Sequence, residues 1–230
     1  MRKPISDIRL YVSRVPNEDG QPLPGEYGSR ALSLHLRRIA MKLRELGFSL
    51  GSFDHLYINL TPCLPEGECR VARRSVQREL AWLRYVDAGV SEAALRGADD
   101  PACLAAARRC LQLFAQDEAA QAMLHAAFAE AGKGEGMLMR FREKQASGMR
   151  AVVFLRLLDS GDYHPLLCVY DTQGQERLRA DLPPCMALDA LGEIRLNRKA
   201  VTIKPRHNAF SADLQPMVFP LPDSKSAARA

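Results

Sequence analysis

Asp54, His55, Cys63 and Cys69 fall within one run, GSFDHLYINLTPCLPEGEC, from Gly51 to Cys69. A carboxylate, an imidazole and two thiols could hold a metal or activate a nucleophile, and each chemistry makes a demand on spacing. A structural zinc site asks for four ligands, commonly with one pair at C-x(2–4)-C. Cys63 and Cys69 are separated by five residues and no second pair follows. No metal ligand is assigned, and no cofactor is expected. A nucleophilic cysteine needs a base and a neighbour that stabilises the thiolate. Cys63 with His55 meets the first demand on paper. Asp54 precedes His55 on a predicted strand, so alternation sends the two side chains to opposite faces and separates them. No catalytic residue is assigned. An enzyme in which the fold brings a thiol or carboxylate, such as Cys63 or Asp87, to His55 stays open as an alternative.

The segment GKGEG at 132–136 looks like a phosphate loop at first sight. A Walker loop follows a strand, precedes a helix and carries Ser or Thr after its lysine. Lys133 is followed by Gly134, and a helix is predicted before the segment, so Gly132 reads as a helix C-cap with a new helix from Met137. Arg70, Arg73, Arg74, Arg78 and Arg84 could contact phosphates. Glu66, Glu68 and Glu79 interleave with them, and no nucleic-acid module surrounds them. A nucleic-acid-binding accessory protein is therefore the second alternative, and nucleic acid is not the expected partner. His35 and His125 lie in helical runs and read as packed or surface histidines, and His164 and His207 lie in loops with no identifiable partner.

With 47% hydrophobic and 26% charged residues, the 230-residue chain can bury a full core. The first 50 residues hold nine Lys/Arg against five Asp/Glu, and the next 50 hold six against eight. The net charge of +5 and pI of about 9.0 are mild, and no block of like charge occurs. The first apolar run, MRKPISDIRLYVSRV, is interrupted by charges and does not have the form of a signal peptide. No run approaches the roughly 18 apolar residues of a membrane span. A cytoplasmic protein is expected, with its six cysteines as free thiols.

The elements follow from periodicity. SDIRLYVSRV alternates, with Ile8, Leu10 and Val12 on one face of a strand and Arg9, Tyr11 and Ser13 on the other. PNEDGQPLPGEYG is a loop. Ser29 caps a helix that runs to Leu46 and stops at Gly47, with Leu32, Leu36, Ile39, Leu43 and Leu46 at helical spacing and Arg37, Arg38, Lys42 and Arg44 largely on the wet side. FDHLYINLT is a second strand, with Leu56, Ile58 and Leu60 opposed to Phe53, His55, Tyr57, Asn59 and Thr61. WLRYVDAGV is a third. Residues from Ser91 to about Gln145 are expected to be helical, with caps at Ser91 and Asp100 and Pro101 in a first turn. AVVFLRLLD and PLLCVYD are nearly continuous apolar runs and should be central strands. DTQG is a hairpin turn before QERLRADL, and GEIRLNRKAVTIKP gives two short strands around NRK. This is an α+β fold, with an antiparallel or mixed sheet, helices mainly on one face and a helical middle segment at about 91–146. It is expected as a single domain over 1–220, with a disordered tail at 221–230.

Two of the strands then present polar, aromatic faces. Arg9, Tyr11, His55, Tyr57, Asn59 and Arg84 are the residues expected to meet a protein partner, because Tyr, Arg and His favour interfaces over plain solvent. The competing expectation is that the C-terminal part of the chain covers this face.

The runs GFSLGSFDHLYINLTPCLPEG, WLRYVDAGVS and VTIKPRHN, with GMLMRFREK between them, resemble a bacterial family of polymorphic-toxin immunity proteins. The resemblance extends from about Ile5 to Phe219. It implies a non-enzymatic, cytoplasmic protein that binds and sterically neutralises a cognate toxin, and it supplies no binding residues. Immunity proteins against nucleases are often acidic, which speeds association with a basic active site. A pI of about 9.0 points instead to a toxin that is acidic or is not a nuclease.

Overall fold

The structure, a computed structural model, describes residues 3–23, 25–73, 81–97 and 99–222. Arg74 and Arg78 of the arginine cluster, and the expected tail from residue 223 on, lie outside the described residues. Where the sequence suggests one domain over 1–220, the chain divides into two compact units, Met1–Gly134 and Glu135–Ala230.

The first unit contains β1 (Asp7–Val12), α1 (Arg30–Leu46), β2 (His55–Thr61), β3 (Cys69–Val71), β4 (Leu83–Gly89), α2 (Glu92–Arg96), α3 (Asp100–Gln112) and α4 (Glu118–Ala131). Its sheet has the order β1-β2-β4-β3. The pairs β1–β2 and β2–β4 are parallel, and β3 runs antiparallel to β4. Helices α1 and α3 pack on the sheet and on each other, and α4 packs on both. The helix-covered face carries Ile8, Leu10, Leu56, Ile58, Leu60, Val86 and Ala88, each at most 2% exposed. On the β1 side they face the apolar stripe of α1, where Leu36, Ile39 and Leu43 are buried, and on the β2 and β4 side they face α3, where Cys103, Ala106, Ala107 and Cys110 are buried. Arg38, expected on the wet side of α1, is instead buried. Burial and the neighbouring Arg38 charge lower the pKa of His35 on the same helix.

Helix α1 begins and ends at the predicted residues. The Ser29 hydroxyl accepts from the Leu32 N–H at 3.0 Å and donates to Asp100. Gly47 adopts φ 82°, a left-handed conformation that favours glycine. Removing the cap by Ser29→Ala should cost about 1–2 kcal/mol, at the upper end because the Asp100 contact is lost as well. Urea unfolding followed by the fluorescence of Trp82, the sole tryptophan, reads this unit directly. An unchanged midpoint would contradict the assignment of the cap. Ser91 caps α2 as expected, while α3 takes Asp99 as its N-cap, one residue before the predicted Asp100. Gly132 closes α4.

The second unit contains β5 (Met139–Ala146), β6 (Met149–Leu157), β7 (Tyr163–Asp171), β8 (Glu176–Asp181), β9 (Ile194–Leu196), β10 (Ala200–Ile203) and β11 (Met217–Pro220). The order β5-β6-β7-β8 is an antiparallel meander, and β11-β10-β9 is a second antiparallel sheet. The two apolar runs, β6 and β7, are the central strands of the meander, as predicted. Asp171–Gln175 forms the expected turn, with Gly174 at φ 78° and Asp171 Oδ1 accepting from the N–H groups of Gln173 and Gln175.

The helical middle segment ends earlier than expected. Residues 139–146 are a strand rather than a helix, paired with β6 from Met139–Leu155 to Ala146–Met149. Ser147 (φ 54°) and Gly148 (φ 73°) make the two-residue turn between them. Paired positive φ values match the right-handed twist of a hairpin, and the charge-rich run is held as a strand by its partner.

Candidate interaction face

In a parallel sheet, residues in register project side chains to the same side. Three rows therefore cross the face of the first sheet opposite its helices. They are Asp7, His55 and Leu83; Arg9, Tyr57 and Tyr85; and Tyr11, Asn59 and Asp87. The same register aligns Arg84 with Leu56, on the face that the helices cover. Arg84 therefore does not join Tyr57 and His55, contrary to expectation. Its guanidinium lies 4.9 Å from the centre of the Phe53 ring. Tyr85 occupies the row in its place.

The face is open at one end and sealed at the other. At the carboxyl end of the strands, Asn59 and Asp87 are fully buried. Both carboxylate oxygens of Asp87 accept from the Asn17 N–H, at 2.8 and 2.9 Å, and Oδ1 also accepts from Asn59 Nδ2 at 2.7 Å. Asn59 Nδ2 donates to the Val15 carbonyl at 3.2 Å. Asn17 closes its own loop by exchanging hydrogen bonds with Gln21. The loop after β1 is thus pinned over the third row. Asn59, expected at the contact, is a structural residue there. Tyr11, also expected at the contact, is 7% exposed and packs on Tyr57 with ring centres 5.2 Å apart. Leu23 packs from the same loop against Tyr85, Leu83 and Ala72.

At the amino end the cover stops. The Arg9 side chain is 43% exposed and that of His55 26%. Tyr57 is half-buried, and Trp82 is 36% exposed. The four form a connected cluster. Arg9 lies 5.6 Å from the Tyr57 ring centre and pairs with Asp7 at 2.6 Å and with Glu26. Trp82 meets His55 edge-on at 4.5 Å and Tyr57 at 6.4 Å, and Tyr57 meets Tyr85 at 5.8 Å. Burial raises the pKa values of Tyr11, Tyr57 and Tyr85, so the phenols stay neutral donors at physiological pH. Trp82 was not among the expected contacts. Its signal was present, as the one tryptophan in the sequence and the first residue of the predicted strand WLRYVDAGV.

The separation of Asp54 from His55 is overturned. His55 Nδ1 and Asp54 Oδ1 are 2.8 Å apart. Strand β2 begins at His55, and the amides of Asp54 and His55 both donate to the Trp82 carbonyl, at 3.1 and 3.3 Å. Alternation does not yet operate at that entry. A carboxylate on Nδ1 fixes the ring and leaves Nε2 available as a base. Cys63 lies beyond the other end of β2, its thiol 2.7 Å from the Arg14 carbonyl. Asp87 is in register with Asn59, four residues along from His55. Neither meets the imidazole.

Of the arginine cluster, Arg70 pairs with Glu68 at 2.9 Å and with Glu18 at 3.8 Å, which offsets its charge. No group of three or more His, Cys, Asp or Glu able to hold a metal occurs among the described residues, and no helix there is long and apolar enough to cross a membrane. Compared with protein-family models, curated proteins and solved structures, the chain gave no match.

Proposed function

We propose that this chain is a non-enzymatic protein-binding module that neutralises a toxin by covering it, with Arg9, His55, Tyr57 and Trp82 at the contact. The observation that carries this reading is the half-exposed cluster of those four residues at the open end of an otherwise sealed sheet face. Trp, Tyr and Arg dominate binding energy where an interface excludes water, and rigid rings lose little entropy on contact. The Asp87 network and the packed Tyr11 and Tyr85 hold the cluster from behind. The sequence resemblance to immunity proteins supplies the class of partner.

Co-expression with the toxin encoded beside this gene tests the reading. Cells carrying both should survive. Trp82→Ala and Tyr57→Ala should each weaken binding by about 2 kcal/mol, roughly thirty-fold, with the melting transition retained. Death of cells that express both proteins would remove the reading.

A second reading, an enzyme with His55 as general base, is favoured by the Asp54–His55 hydrogen bond. Against it, His55 opens β2, whereas ligand sites of open α/β sheets lie beyond the carboxyl ends of strands. In the same assay a His55→Ala variant that still binds the toxin but no longer protects would support the enzyme.

A further inference from the structure

We propose that Cys69 and Cys110 form a reversible disulfide in response to hydroperoxides, with Cys69 as the attacking thiol and Cys110 as the resolving one. The two sulfurs are 3.5 Å apart, although 41 residues separate them in sequence. The register explains the meeting. Cys69 on β3 is paired with Ala88 and so projects to the helix-covered face, where α3 packs on β3 and β4. Cys110 is on the buried side of α3. Closing the bond to the usual length of about 2.05 Å brings the sulfurs together by roughly 1.5 Å, a shift that a three-residue edge strand paired on one side can make.

The two thiols are chemically unequal. The hydrogen bond from Cys110 lowers the pKa of Cys69 to about 7; burial opposes this, and the Arg109 guanidinium assists it. Arg109 Nε is buried with no hydrogen-bond partner among the described residues. The pKa of Cys110 is raised, through that same hydrogen bond first and then through burial. Cys103, Cys168 and Cys185 are also pushed up, by burial first. Cys69 is half-buried, so a small peroxide has access to it. A partly exposed thiolate beside a cation and a second thiol is the arrangement of a peroxide-sensitive cysteine.

The steps balance. The Cys69 thiolate attacks the terminal oxygen of hydrogen peroxide, the O–O bond breaks, and hydroxide leaves with the electron pair. Cys69 is now a sulfenic acid. The Cys110 sulfur attacks the Cys69 sulfur, its proton is released, and the hydroxyl leaves as water. Two thiols are oxidised by two electrons and one peroxide is reduced to two waters. A dithiol reverses the bond by exchange.

Treating the full-length folded protein with hydrogen peroxide at pH 7.4, followed by non-reducing digestion and mass spectrometry, reads the product. The linked Cys69–Cys110 peptide, lighter by two hydrogens, should form roughly tenfold faster than adducts accumulate at a thiol of ordinary acidity. It should revert with dithiothreitol, and the oxidised protein should melt several degrees higher. Cys110→Ser should arrest Cys69 as a sulfenic acid that dimedone captures. Should that variant fail to fold, Cys63→Ser at the exposed thiol supplies the second arm, and it should leave the yield of linked peptide unchanged. The proposal is overturned if peroxide consumes Cys63 in the wild-type protein without forming the linked peptide. It is equally overturned if the linked peptide forms no faster in the folded chain than in urea.

Discussion

Gly89→Ala should destabilise the first unit by about 3 kcal/mol or more, one of the largest effects of any single methyl group in this chain. Gly89 ends β4, and a Cβ built there would lie 1.9 Å from the Pro65 carbonyl oxygen, 2.7 Å from its carbon and 2.9 Å from the Leu64 oxygen. All three atoms are backbone, so no rotamer change relieves the clash. The loop cannot easily retreat either. The Gly67 N–H donates to the Gly89 carbonyl at 3.1 Å, and the Gly89 N–H donates to the Glu68 carbonyl at 2.8 Å. The alanine must break these bonds or displace β4 from β2, where Gly89 is in register with Thr61. The urea midpoint read from Trp82 fluorescence should fall accordingly. A midpoint within about 0.5 kcal/mol of wild type would show that the 62–68 loop does not pass over this glycine.

Asp87→Ala is expected to cost about 3 kcal/mol, by a different physical route. The carboxylate is fully buried and accepts from the Asn17 amide and from Asn59. Truncation takes the carboxylate from the Asn17 N–H and one of the two acceptors from Asn59 Nδ2, which keeps the Val15 carbonyl, and each orphaned N–H costs about 1–3 kcal/mol. Asp87→Asn should be milder, about 1 kcal/mol. Asn59 Oδ1 is buried without a partner among the described residues, so a flipped Asn59 amide can accept from the new NH2 group. Amide exchange at Asn17 should quicken in the alanine variant, because that N–H loses both carboxylate oxygens that accept it. If the alanine variant matched wild type in both urea midpoint and Asn17 exchange, the loop after β1 would not be anchored by Asp87. Because the loop backs the exposed cluster, the alanine variant should also weaken the toxin binding we propose, whereas Trp82→Ala should weaken it without lowering stability to the same degree.

Much of the architecture was legible because it depends on near neighbours. The Ser29 hydroxyl finds an N–H three residues on, and Gly47 takes up a left-handed conformation at the end of α1. The apolar runs of β6 and β7 have no polar face to offer solvent, so they could only be central, and the α+β class follows from such elements. The misread stretch 139–146 also had a local marker, the Ser147–Gly148 turn, but its alternation carries too many charges to stand out as a strand.

What sequence left open was set by contacts between distant residues. Arg84 belongs to the helix-covered face because parallel register aligns it with Leu56, and no local pattern specifies register between strands 28 residues apart. Asn59 alternates with Leu60 like any polar strand residue, yet it is buried because the Asn17 loop folds over it to reach Asp87. Cys69 and Cys110 carry no spacing signature, and they meet because β3 pairs with β4 beneath α3. Hydrogen bonding and side-chain stiffness within a few residues decide which elements form. Which face each element buries is decided by the free energy of covering apolar surface and pairing buried polar groups, a property of the whole packed unit.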